Sequence, residues 1–224
     1  MQFATTAYRA YAIDFWGYGD SARHPEYYSL TKQCQLVEEF LNKMGIKKCA
    51  LIGHGLGASV ATLLASRIAD QIDRIMAISL PHAAEMLSPR LVSEPIDNLV
   101  EWLFDHNPNH QAARSDAKKA DRRALESVYY QVQHLAFDSL IANLQVPFLW
   151  LNGKNDMVVI QSQFDPIRDL SENNHYICFE ESGYFPMLDE PSKFNRLLGN
   201  FLTFDSGQSL RDLQVKDEWK RRIR

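Results

Sequence analysis

Three residue positions in this chain have the types and spacing to bear on covalent chemistry. The stretch "LIGHGLGAS", Leu51–Ser59, sets Gly53, Gly57 and Ala58 around a central Gly55, directly after an apolar run and directly before a helical one. Small residues at such places allow a strand to turn sharply into a helix, and the central residue of that turn is the strained position that lifts a nucleophile to the top of a sheet. Here the centre has no side chain. Asp156, in "LNGKNDMVV", is an acid in a turn after another apolar run. Tyr184, in "EESGYFPMLDEP", follows a third. A phenol with an ordinary pKa near 10 is a poor base at neutral pH. An acid with no imidazole to orient is a turn residue that bonds nearby backbone N–H groups.

Other side chains compete for a role. Ser59 lies one helical turn beyond Gly55 and is expected to point into the packing beneath it. His54 precedes the turn's centre and is expected to pack. His82 follows the run "MAISLP" and is the best spare base. The cysteines Cys34, Cys49 and Cys178 show no CxxC spacing, so neither a disulfide framework nor a zinc site is expected, and no metal or cofactor.

These residues need elements to hold them. Tyr8–Asp14 reads as a short buried strand leading into the turn "FWGYGDS". Residues 30–44 have a 3.6-residue apolar period, with Ser29 to cap the helix and Gly45 to end it. "KCALIGH" reads as a strand covered on both faces, "GASVATLLASRIADQ" as a helix and "DRIMAISL" as a strand. This alternation predicts a mostly parallel α/β sheet flanked by helices. From residue 82 to 145 the pattern turns helical, with "IDNLVEWLFDH" and one long helix in "DAKKADRRALESVYYQVQHLAFDSLIANL". Then "PFLWLNG" and "HYICFEE" read as strands, a short helix is expected near Pro166, and "PSKFNRLLGNFLTF" reads as a helix. The expected layout is a core of residues 1–81 and 146–204, a helical cap of residues 82–145, and a charged tail of residues 205–224. The cations Lys220, Arg221, Arg222 and Arg224 in the tail are expected to be a solvated helix end.

The ordered motifs resemble those of the alpha/beta-hydrolase fold family. "LIGHGLGAS" stands where that family reads G-x-S-x-G, and "DFWGYGDS" resembles its D-x-x-G-x-G-x-S turn. "LNGKNDMVV" is similar to its acid turn and "EESGYFPMLDEP" to its histidine segment. The resemblance implies that Gly55 stands at the nucleophile position, Tyr184 at the base position and Asp156 at the acid position. It also implies strands ahead of residue 1: an N-terminally truncated sheet, with a third strand due between Tyr8–Asp14 and Cys49–His54. Either these two close up and pair directly, or Met1 is an internal residue of a longer chain, which is the expectation adopted.

The substituted positions imply a non-catalytic family member. It would hold a small apolar ligand under the cap, against Trp102, Phe104, Tyr129, Tyr130 and Phe137 with His54 and His82, or be a truncated homologue. The alternative is an ester-type hydrolase working through His82 or Tyr184 with Asp156. A net charge of -4 offers no basic field for nucleic acid. No apolar run approaches the roughly 20 residues that span a bilayer, and the N-terminus lacks a secretory pattern, so a cytoplasmic protein is expected.

Overall fold

The computed structural model describes residues 4–81, 86–104, 110–160, 173–205 and 209–213. Four strands, β1 (Cys49–His54), β2 (Ile72–Ile78), β3 (Phe148–Gly153) and β4 (Asn174–Phe179), lie side by side in that order. All three pairings are parallel. Helices α1 (Leu30–Lys43) and α2 (Leu56–Arg67) precede β2. The short α3 (Arg90–Ser93), α4 (Ile96–Leu103), α5 (Gln111–Ala117), α6 (Arg122–Val132) and α7 (Phe137–Ala142) lie between β2 and β3. The turn α8 (Pro186–Asp189) and α9 (Pro191–Leu202) follow β4.

Alternation along β2 and β3 sorts the core into two layers. Ile75, Ala77, Phe148 and Trp150 pack with α1, α2 and the inserted helices. Met76, Ile78, Leu149 and Leu151 face Phe194, Leu197, Leu198 and Phe201 of α9. Every residue of β3 is buried, as expected of a parallel strand covered on both faces. Helix α1 begins where the Ser29 side chain accepts the Lys32 N–H, and it ends at Gly45, whose φ is +65°.

Three expectations need correction. Tyr8–Asp14 is extended but is not a strand. Among the described residues no hydrogen bond is made by the backbone from Tyr8 to Ile13, and Tyr8 and Tyr11 are about 40% exposed. Its end is held from below instead: the amide of buried Gln33 accepts the Trp16 N–H and donates to the Trp16 carbonyl, both at 3.0 Å. The reason there is no strand lies beside it. A trough of about 1020 Å³ separates the segment from β1, so the two do not close up and pair. Second, β1 is therefore not covered like β2 and β3. Most of its residues are half-buried, and Ile52 is 42% exposed.

Third, the long helix foreseen near residues 116–144 is broken twice, leaving α6 and α7 as separate helices. The first break is at Asp121, which caps α6 by accepting the Arg123 N–H. Its own N–H donates to the Gly17 carbonyl at 2.7 Å, and the Tyr28 hydroxyl donates to its carboxylate at 2.6 Å. These bonds tie the inserted helices to the loop before α1. The second break lets α7 bring Phe137 into the core with no exposure. Pro166 and the tail from residue 214 lie outside the described residues.

Candidate functional site

The turn from β1 into α2 is built on close approach. A Cβ at Gly53 would fall on the Gly57 carbonyl, so only glycine fits there. Gly57 itself is less constrained than expected: a Cβ there would only touch the Phe15 ring at 3.9 Å. Gly55 has φ +52° and ψ −112°. Its N–H donates to the Ile78 carbonyl at 2.9 Å, and its carbonyl accepts the Ser59 N–H at 3.1 Å. Ser59 is fully buried and its hydroxyl turns back to the same carbonyl at 3.4 Å.

A second turn, after β3, carries Asp156. Gly153 meets the loop after β4 so closely that a Cβ would fall on the Gly183 carbonyl. The Lys154 and Asn155 N–H groups donate to the carbonyls of Phe179 and Ser182, each at 2.9 Å. One carboxylate oxygen of Asp156 accepts the N–H groups of Val158 (2.8 Å) and Val159 (2.9 Å). Among the described residues the other, Oδ2, is buried and makes no hydrogen bond of full geometry. Burial raises this carboxyl above the ordinary aspartate range, against the opposing pull of the Val159 N–H, the Ser79 hydroxyl and the Val158 N–H.

The loop after β4 presents Tyr184. It is fixed from behind, because the Ser182 hydroxyl donates to Glu190 at 2.6 Å and the Gly183 N–H donates to Asp189 at 2.8 Å. The Tyr184 hydroxyl stands where a Cβ on Gly55 would be. Burial, then the charges of Asp156 and Tyr18, push the phenol far above its ordinary value, so it is neutral at pH 7. The Tyr184 carbonyl accepts from His54 Nε2 at 2.7 Å and from the Ser79 hydroxyl at 3.4 Å. His54 is pushed down to about 4 by burial, with the bond to Tyr184 acting the other way. It is thus neutral at pH 7, its Nε2 proton engaged by that carbonyl.

Gly55, Tyr184 and Asp156 therefore come together, and His54 joins them. Phe185 continues the cluster, 5.1 Å from the His54 ring and stacked on Phe104 at 4.5 Å. Phe137 and Tyr129 belong to the core, Tyr130 is 56% exposed, and the Arg90 guanidinium sits 4.6 Å over the Trp102 ring. His82 lies outside the described residues. Two residues of the site were not singled out from sequence. Tyr18 stands close enough to act on Tyr184 electrostatically, and its only signal is its place between two glycines. Ser79 is buried directly after β2 with φ +50°, a conformation a non-glycine residue adopts at a cost of about 1–3 kcal/mol. Nothing in "MAISLP" marks it.

Chemically, the centre of the turn offers no side chain, and the neutral Tyr184 phenol fills the space beside it. Among the described residues no group of three or more His, Cys, Asp or Glu is placed to hold a metal, and no helix is long and apolar enough to cross a membrane.

Comparison with known proteins places this architecture. Residues 2–131 match the model of the alpha/beta hydrolase fold, and the chain belongs to that family. A Mycoplasma genitalium protein named as an esterase/lipase is 22% identical over 228 residues, covering 87% of this chain and 81% of its own. Epoxide hydrolase 4 of Mus musculus is 36% identical over 77 residues, 34% of this chain and 21% of that protein. A hydrolase from Pseudomonas aeruginosa PA01 superposes with a TM-score of 0.78 at 19% identity, over 90% of this chain and 82% of that one.

Proposed function

We propose that this chain is a non-catalytic member of its family, one that holds a small apolar molecule rather than hydrolysing it. The observation that carries the reading is the Tyr184 hydroxyl in the space of a Gly55 side chain. In the family chemistry an attacking oxygen and an imidazole must share that space. Here one neutral phenol fills it, and His54, which packs on that ring, spends its Nε2 proton on a backbone carbonyl. Beside the turn lies an apolar cluster of Phe104, Phe185 and the Tyr184 ring. Aromatic surface with few polar groups suits an apolar ligand.

The test is hydrolysis of p-nitrophenyl acetate and butyrate. The natural chain is expected to give no turnover above the uncatalysed rate. Gly55→Ser alone stays inactive, because the new side chain meets the phenol. Gly55→Ser with Tyr184→His restores a nucleophile and a base and is expected to give measurable turnover. Turnover by the natural chain that disappears in Asp156→Ala would defeat the proposal in favour of a hydrolase using unconventional residues. Binding is read separately, as a rise in melting temperature with medium-chain alcohols and esters.

A further inference from the structure

The Tyr184 loop and the Tyr184 ring are held by different means. The loop is tied by hydrogen bonds: the Ser182 hydroxyl to Glu190, the Gly183 N–H to Asp189, and the Tyr184 carbonyl to His54 and Ser79. The ring is held by contact alone. Its centroid lies 4.3 Å from that of His54 and 4.8 Å from that of Phe185. Among the described residues its hydroxyl makes no hydrogen bond. Rotation about χ1 of Tyr184 therefore breaks no hydrogen bond and leaves the main chain in place.

A ring that only filled this space would need no hydroxyl, and a desolvated hydroxyl without a partner is costly. Burial is the main influence on this one, and Asp156 acts on it through charge, not through a hydrogen bond. The hydroxyl also stands in the space over Gly55. Any molecule that reaches the centre of the turn must first move it. What the ring leaves behind suits another ring. His54 and Phe185 form two of its walls, and Phe185 is backed by Phe104, stacked on it at 4.5 Å. Tilted and edge-on aromatic pairs at such distances contribute beyond the area they bury. An aromatic ligand regains both contacts that Tyr184 gives up, and an aliphatic one regains only the burial. The nearby Asp156 carboxylate disfavours an anion and suits a group that can donate.

We propose that the Tyr184 ring is an internal occupant of the ligand site, displaced by a neutral molecule of its own kind: a single aromatic ring bearing a hydroxyl. This rests on the reading of the site as a binder of small apolar molecules, and it names their class. Only the form with the ring moved aside is open to the ligand, so the natural chain binds more weakly than an open site by the fraction of molecules in that form.

The probe is 4-fluorophenol, added to the whole chain at pH 7 and followed by fluorine NMR. Saturable binding is expected. Tyr184→Ala removes the competing ring and should tighten binding by about tenfold or more. The anion 4-fluorobenzoate, similar in size, should bind both chains about threefold more weakly or worse. Should Tyr184→Ala unfold, the natural chain labelled with 3-fluorotyrosine still decides the matter. The resonance that Tyr184→Phe lacks belongs to Tyr184, and it should move as p-cresol is added. Saturable binding beside a stationary Tyr184 resonance would overturn the proposal. So would equal affinity in the natural chain and Tyr184→Ala, because the phenol would then lie elsewhere. Binding to Tyr184→Ala alone would make the ring a permanent filler, and equal binding of the benzoate would overturn the class of ligand. Binding to neither chain would defeat the reading of the site as a ligand site, not only the displacement.

Discussion

The turn after β1 and the turn after β3 invite comparison because they are built alike and equipped differently. In each, a glycine at the end of the strand has no room for a Cβ: Gly53 against the Gly57 carbonyl, Gly153 against the Gly183 carbonyl. Two residues beyond Gly53 the chain offers only Gly55. Three residues beyond Gly153 it keeps Asp156, held by two backbone N–H groups. Framework and chemistry are thus separable. A framework glycine is dictated by backbone on the opposite side, which cannot move without the strand. A side chain at Gly55 would instead meet only another side chain, the Tyr184 hydroxyl.

The comparison breaks first at the framework. Gly53→Ala places a methyl against backbone atoms of Gly57 and Ala58. It is expected to cost about 3 kcal/mol, read as a lower denaturation midpoint at unchanged slope. A loss under about 1 kcal/mol would mean the turn relaxes easily and that its glycine is not structural.

His54 supplies the next effect, through pH. Its folded value is depressed to about 4 from 6.5, so the unfolded chain binds more protons between those limits and stability falls as pH drops through that window. The loss approaches ~3 kcal/mol at most. Urea melts at pH 7, 5.5 and 4 should show the decline, and His54→Gln should flatten it. An unchanged slope in the variant would assign the acid sensitivity elsewhere.

Gly55 and Tyr184 form a pair whose coupling is measurable. Gly55→Ala is expected to cost about 2 kcal/mol, from positive φ and from collision with the phenol. In a Tyr184→Phe background the collision goes and the backbone strain stays, so the cost should fall by about 1 kcal/mol. Additive effects in that double-mutant cycle would show that the hydroxyl and the turn are independent.

How much of this was legible in the sequence follows the same division. The four strands that pair, their parallel direction and the capped helix after Ser29 all rest on local patterns: apolar runs, a 3.6-residue period, a cap. So did the nearness of Gly55, Tyr184 and Asp156, once their motifs resembled those of a known family. Tyr8–Asp14 read as a strand because it is apolar enough, yet a strand also needs a neighbour; the gap beside it was legible only through the family resemblance, which sets a third strand between it and Cys49–His54. The breaks around α6 were equally hidden. They depend on Asp121 bonding Gly17 and Tyr28, about a hundred residues away. Ser79 escaped because positive φ at a serine leaves no mark in the sequence.

Asp156 gives the smallest effect and the one that isolates a buried carboxyl from the turn that holds it. Its carboxyl is raised by burial, so the folded chain holds the proton more tightly than the unfolded chain. Between the ordinary aspartate value near 4 and the raised folded value, stability therefore falls as pH rises, and above that value a constant penalty remains. Asp156→Asn keeps an oxygen to accept the Val158 and Val159 N–H groups and removes the charge. It should match the natural chain at pH 4 and exceed it slightly at pH 8. A variant less stable at pH 8 would show that the buried carboxylate is held by a cation or donor from elsewhere, and the acid would then belong to a working site rather than to a turn.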